Sequence, residues 1–464
     1  MKNIEDLKKI TETNLDKLDM LEESKLKLIN ETKNIKKISF KRHKFIAILS
    51  TAAVITFIII INGILIQMKS TLLVHAESNL MEGVTPRNVN NVELSKKFIK
   101  STADFSIDLF KRSYTKGKNS LISPPSVYLS LGMTANGADG NTLKEFENVL
   151  GEKDININEL NSYYNTLYGQ LTNTESSKVS IANSIWYRND KSLNIKKDFI
   201  QTNADYYHAA AYKSDFSSNQ TVNDINNWVK SNTGNNIDKI VDSINKNDNM
   251  YLINAIYFDA QWEKVYAQEA VRKGNFELAD GSNKKVDFMF SSESIYLKDD
   301  KAQGFIKPYK DGKYSFVALL PNFSVNIDSY ISSLSGDQFI KLIETKSEEP
   351  VVTELPIFKS EYNIKLVEPL KRMGLSDCFD KGNANFSKMG NSTMGNLYIG
   401  NVIHKTFISV DTQGTKAAAV SMEEGVGAAA IPKRVILNRP FVYAIIDNET
   451  KLPLFIGTMM DPKS

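Results

Sequence analysis

Hydrophobic and polar positions divide the chain into four stretches of different character. In residues 1–44, Ile4, Leu7, Leu15, Leu18, Leu21, Leu28 and Ile29 recur at loosely helical spacing among Lys, Glu and Asp, which predicts a short amphipathic helix in a charged tail. The spacing drifts from the strict heptads of a coiled coil. Phe45–Ile66 is uncharged and mostly apolar. As a helix it reaches about 33 Å, enough to cross a bilayer core, and a transmembrane span is expected here. Lys36, Lys37, Lys41, Arg42 and Lys44 crowd its N-terminal side while Lys69 alone follows closely, so the N-terminus is expected in the cytoplasm and the rest of the chain outside. The alternative is a cleaved signal ending at Val74-His75-Ala76, for which both the leader and its apolar core are long. Residues 67–91, with Gly83, Pro86 and an Asn-rich patch but no sustained periodicity, are expected to form an extracytoplasmic spacer.

Residues 92–464 carry the patterns of a folded domain. Leu94–Tyr114, with Phe98, Phe105, Leu109 and Phe110 on one side, and Thr221–Thr233, with Ile225, Trp228 and Val229, predict helices. Ser123-Pro124-Pro125-Ser126 reads as a helix start. Tyr251–Trp262 is a nearly continuous apolar run, the signature of a strand buried on both faces, and the Asn254 inside it requires hydrogen-bond partners. Ala182–Tyr187, Phe276–Phe290, Ser315–Leu320, Val351–Lys359 and Val402–Val410 are further strands, and Leu366–Met373 is a helix closed by Gly374. Strands mixed with helices without regular βαβ alternation indicate an α+β domain.

Charge and composition narrow the functional classes. The formal net charge is +3, and residues 1–44 hold 12 Lys and Arg against 8 Asp and Glu, so the remainder is close to neutral and a nucleic-acid partner is not expected. The single cysteine, Cys378, excludes an internal disulfide. The four histidines are His43, His75, His208 and His404. No G-x-S-x-G elbow, H-E-x-x-H, P-loop or paired cysteine set is present, so neither an enzyme nor a metal or other cofactor is expected. A membrane-anchored hydrolase would need His208 or His404 in a triad. His404, within Ile403-His404-Lys405, reads as a satisfied core histidine.

The unusual stretch is Asp411–Ser421. It follows a strand yet runs through Gly414 into small residues: Thr415, Ala417, Ala419, Ser421, Glu423, Gly425 and Gly427 lie on one alternating face, small except for Glu423, and Lys416, Ala418, Val420, Met422, Glu424, Val426 and Ala428 on the other. Two readings fit: a flexible Ala/Gly-rich linker, or a segment able to slide between two strands with its small face inward.

The sequence Val435-Ile436-Leu437-Asn438-Arg439-Pro440-Phe441-Val442-Tyr443-Ala444-Ile445, before the closing Pro453-Leu454-Phe455-Ile456-Gly457, resembles the C-terminal signature of the serpin family. Gly414-Thr415-Lys416-Ala417-Ala418-Ala419 upstream resembles the serpin hinge at the family's spacing, and the resemblance runs from about Val92 to Pro462 in a bacterial-type, membrane-anchored arrangement. It implies the serpin fold: a large central, mainly antiparallel sheet, further sheets and surrounding helices, and an exposed reactive-centre loop. It implies that Ser123, Ser126, Asn254 and His404 form the shutter bonding the central strands where they part, and that Trp262 and Thr412 belong to the breach at the top of the sheet. It also implies inhibition of a target serine protease, which cleaves the loop, is held as an acyl-enzyme and is displaced when the hinge inserts as a new strand. Thr415–Ala428 would add strand hydrogen bonds worth about 1 kcal/mol net each, which makes the uncut form metastable.

Counting from Gly414 as serpins do puts the scissile bond between Ala428 and Ala429. Its register is open by two or three residues. Small residues there suit elastase- or subtilisin-like proteases, and no Lys or Arg occurs between Ala417 and Pro432. A monomer is expected. Two positions depart from the family pattern: Thr412 stands for the usual Glu and Ile357 for its usual Lys partner, so the top of the sheet is expected to open more readily. The rival function within the family is a non-inhibitory, membrane-tethered binding or scaffold module.

Overall fold

The computed structural model describes residues 78–152, 154–171, 173–415 and 432–463. The chain divides between Met68 and Lys69, and every described residue belongs to the second part. The charged tail, the Phe45–Ile66 span, most of the spacer and residues 416–431 lie outside the described residues. Among those described, no helix is long and apolar enough to cross a membrane.

Three sheets organise the domain. The main sheet runs in the order β1 (Ser78–Asn79), β5 (Ala210–Ser214), β3 (Ser177–Arg188), β6 (Met250–Gln261), β15 (Ile399–Val410) and β13 (Phe358–Lys365), with β16 (Gly414–Thr415) paired to β6 off this path. The pairs β3–β5 and β6–β15 are parallel and the others antiparallel. A second sheet has the order β2 (Ser120–Ile122), β19 (Pro453–Met459), β18 (Phe441–Asp447), β11 (Tyr314–Pro321), β10 (Ala302–Pro308) and β9 (Ile295–Lys298). The third is β17 (Lys433–Ile436), β12 (Val351–Pro356), β8 (Asn283–Glu293) and β7 (Val271–Glu277), and β4 (Asn194–Ile195) pairs with β14 (Gly390–Asn391).

The apolar run predicted as a doubly covered strand is β6, whose residues alternate between two cores. Ile256, Phe258 and Ala260 pack with Phe316, Ala318, Tyr443 and Ile445 of the second sheet. Tyr251, Ile253 and Ala255 face the opposite side, under Ile225, Trp228 and Val229. Four helices bear on the central strands and their surroundings: α1 (Lys96–Ser113), α2 (Pro124–Ala135), α3 (Lys197–Tyr207) and α4 (Asn219–Asn232). Ser95 caps α1 by accepting from the Phe98 N–H at 3.1 Å, and the two prolines opening α2 occupy positions whose N–H groups need no helical partner.

Two predicted strands are divided. Phe276–Phe290 is a hairpin, β7 and β8, turned through Asp280 and Gly281, where Gly281 takes φ +83° and the Asp280 carboxylate accepts from the Ser282 N–H at 2.9 Å. Val351–Lys359 breaks at Ile357, between Pro356, which ends β12 in the third sheet, and Phe358, which opens β13 in the main sheet. Proline has no N–H to continue a ladder, and the chain changes sheets there.

Residues 78–91, within the stretch expected as spacer, lie against the domain instead. Ser78 and Asn79 pair with Lys213 and Tyr212, while Leu80, Met81 and Val84 pack on the main core. The Arg87 guanidinium donates to Asp205 Oδ2 of α3 at 2.6 and 2.8 Å, and the Arg87 N–H donates to Oδ1 at 2.7 Å. Three bonds from one residue to one carboxylate, all of them charge-assisted, fix this arm more firmly than its Asn-rich, aperiodic sequence suggests.

Candidate functional site

The central strands β6 and β15 run side by side from Met250 and Ile399 up to the rung Tyr257–Phe407, whose rings stack at 6.4 Å. Above that rung they part. Phe258 and Ala260 on β6, and Ile408 and Val410 on β15, are buried where the strands diverge. Into the mouth of this slot comes β16: Gly414 pairs antiparallel with Gln261, and Thr415 with Ala260. Gly414 and Thr415, the first two residues of the hinge expected from the resemblance, are therefore paired with the main sheet.

The turn that brings it there is tightly held. Asp411 N–H donates to the Gly414 carbonyl at 3.0 Å, and Gln413 N–H donates to Asp411 Oδ1 at 2.9 Å. The other three carbonyls of the turn accept bonds from residues following β6: Asp411 from Trp262 Nε1 at 2.9 Å, Thr412 from the Tyr266 N–H at 2.8 Å, and Gln413 from the Trp262 N–H at 3.0 Å. Trp262 is fully buried and stacked on Tyr309 at 4.5 Å. Thr412 takes part through its backbone carbonyl. Gly414 has φ +145°, and a Cβ there would meet the Ala260 carbonyl oxygen, Gln261 Cα at 2.7 Å and Trp262 N at 2.8 Å. Only glycine fits this approach. Ile357, at the other departure from the family pattern, donates its N–H to the Asp287 carbonyl at 2.8 Å.

Lower down, the four predicted cluster residues meet. Asn254 and His404 are direct partners in the β6–β15 register, and the His404 Nδ1–H donates to Asn254 Oδ1. His404 Nε2 accepts from the Ser123 N–H at 3.0 Å, and Asn254 Nδ2 donates to the Ser126 carbonyl at 2.7 Å, to Ser126 Oγ at 2.6 Å and to Asn183 Oδ1. Both imidazole nitrogens are engaged in the neutral state, and burial pushes the His404 pKa down to about 3. Ser123 contributes its backbone; among the described residues its buried hydroxyl has no hydrogen-bond partner. His208 ends α3 with φ +48° and packs on the Tyr168 ring at 5.0 Å.

Sequence reading missed Asn183, which faces Asn254 across the β3–β6 ladder, and Tyr266, whose amide holds the turn. Asn183 carried a signal, since a second Asn inside a strand also needs partners. The Lys416–Ala419 part of the hinge and the Ala428–Ala429 bond lie outside the described residues.

The chain matches the family described as Serpin (serine protease inhibitor) over residues 100–462. A leukocyte elastase inhibitor of Xenopus tropicalis is 30% identical over 374 residues, covering 77% of this chain and 97% of that protein. Human neuroserpin is 29% identical over 378 residues, covering 78% of this chain and 91% of that protein. Among solved structures, the thermophilic serpin Tengpin in its native state superposes with a TM-score of 0.79 at 49% identity, covering 83% of this chain and 99% of the other.

Proposed function

Because the chain belongs to the serpin family, we propose that it inhibits serine-type endopeptidases and is not itself an enzyme. A protease cuts the loop, remains bound as an acyl-enzyme, and is carried off and distorted as the loop inserts between β6 and β15. One observation carries the reading: the two strands part above Tyr257–Phe407, and Gly414–Thr415 is already paired at the mouth of the opening. The engagement of both His404 nitrogens supports a structural rather than catalytic histidine.

The proposed scissile bond is Ala428–Ala429 and the proposed targets are elastase- or subtilisin-like. Support comes from the small residues of the loop and from the absence of Lys and Arg between Ala417 and Pro432. The name of the elastase-inhibiting relative agrees with this. The inhibitor is proposed to act as a monomer, outside the cell, anchored by Phe45–Ile66 with its N-terminus in the cytoplasm. The lysine-rich flank of that span is the support.

A panel of proteases incubated with the full-length protein tests the mechanism. A detergent-stable complex with an elastase- or subtilisin-like enzyme, and a released peptide beginning at Ala429, are expected. A peptide beginning at Arg434 would move the scissile bond and change the target class. Cleavage in the loop should also raise heat resistance; no gain, with no complex, would favour the non-inhibitory binding module. Protease shaving of intact cells should release the domain, and a domain that resists shaving but is digested after lysis has the opposite orientation.

A further inference from the structure

Behind the loop's entry turn lies a buried ion pair. Lys307 Nζ in β10 stands 2.7 Å from Glu293 Oε1 at the end of β8, with the side chains 2% and 6% exposed. Glu293 Oε1 also accepts from Ser291 Oγ at 2.5 Å, and that hydroxyl shares a bond with Thr353 Oγ1 at 2.9 Å. The ammonium lies 4.4 Å from the centre of the Tyr266 ring and 5.5 Å from that of Trp262. These are the two residues whose N–H groups hold the carbonyls of Asp411, Thr412 and Gln413. The main sheet's β6 end, the second sheet's β10 and the third sheet's β8 and β12 therefore meet around one pair of charges.

A buried pair is a poor source of net stability, since apolar side chains of similar volume often do as well, and its best attested use is to fix a register. Register is what this location needs. Side chains alternate along a strand, so a slip of one residue between β16 and β6 would reverse every side chain of the strand that follows Thr415. A cation held between two rings and a carboxylate resists rotation of those rings, and with it movement of the amides that grip the turn.

We infer that the Lys307–Glu293 pair is a positioning element that fixes Trp262 and Tyr266, and through them the register in which the loop enters the main sheet. The carbonyl of Thr412, one of the two departures from the family pattern, is held by the amide of Tyr266, whose ring lies against this ammonium. The consequence for inhibition rests on the insertion reading proposed above; the consequence for the turn does not.

The test uses full-length protein and the double variant Lys307→Met/Glu293→Leu, because either single change leaves one buried charge unpaired and destabilises the whole domain. Three quantities are measured: hydrogen-exchange protection at the Trp262 and Tyr266 amides, moles of inhibitor consumed per mole of protease silenced, and heat resistance before and after loop cleavage. The double variant is expected to unfold near the parent's temperature, with amide protection lower by about tenfold and inhibitor consumption raised severalfold. Parent-like protection at both amides overturns the inference. Lower protection with unchanged inhibitor consumption, in a parent that gains heat resistance on cleavage, overturns its role in inhibition. Lower protection in a parent that gains none leaves the anchor standing and removes the insertion reading.

Discussion

His404 and Asn254 face each other across the parallel ladder of β15 and β6 and are joined ring nitrogen to amide oxygen. The bond lies across the line along which a new strand would enter. The second contact of the ring, in which Nε2 accepts from the Ser123 N–H, requires a neutral imidazole, because that nitrogen has no room for a proton.

That requirement sets a pH dependence. Burial lowers the His404 pKa from 6.5 to about 3, so below pH 6.5 the unfolded chain binds a proton that the folded protein refuses. The stability tied to the neutral ring is full above pH 6.5 and declines as pH falls toward 3, by several kcal/mol at most. Denaturant titrations across this range should show a shallower decline for His404→Gln than for the parent. Matching slopes would mean that the ring is not held neutral.

Gly414→Ala should act at the entry turn. The φ of +145° and the approach of Gln261 Cα and Trp262 N leave no place for a methyl group, and the strained alternative costs about 1 to 3 kcal/mol. Calorimetry should find a lower melting temperature, and protection of the Trp262 amide should fall. An unchanged amide would show that the turn tolerates a side chain.

Thr415→Arg tests the insertion face. Thr415 pairs with Ala260, and the alternation along the sequence makes it the first residue of the face expected to turn inward. A guanidinium entering there would be unpaired, at a cost of several kcal/mol, so the acyl-enzyme should hydrolyse before the protease is displaced. Inhibitor consumption should rise sharply for Thr415→Arg and stay level for the matched Lys416→Arg. Parent-like inhibition by both would mean that the face is misassigned or that insertion is not the mechanism.

Arg87→Ala should lower the melting temperature, because Asp205 then keeps the backbone N–H of residue 87 and Gln201 Nε2, at 2.8 Å, but loses the guanidinium and its charge. Gln201→Ala is the milder control, leaving the guanidinium in place. Equal melting temperatures for the parent and Arg87→Ala would mean that the guanidinium contributes nothing to the domain's stability, leaving the arm held by its strand pairing and apolar packing.

The reach of sequence reading, and its gaps, come down to the physics of particular residues. Asn254 announced itself as a polar side chain in an apolar strand, and Gly414 with its small followers as a segment with no ordinary role. Lys307 and Glu293 gave no such sign, because isolated charges in a strand usually face solvent and only the meeting of three sheets buries them. The break at Ile357 hid inside a continuous β-rich run, since nothing local marks a change of sheet beyond one proline. Ser78 and Asn79 form too short a strand to show a period, and their pairing depends on an exposed edge of β5 more than 130 residues away.

The closed turn from Asp411 to Gly414 also has a kinetic meaning. Ordinarily a hairpin must first pay the entropy of bringing its ends together, and only then does each further pair come easily. Here that turn is already closed by the Asp411–Gly414 pair, with β15 leading into it and β16 leaving it along β6. Growth would then proceed as a zipper, one rung at a time. Once the open positions opposite Asp259 and Phe258 are filled, its pace would be set by parting Tyr257 from Phe407, the first closed rung of β6 and β15, and would depend little on the length of the loop beyond it.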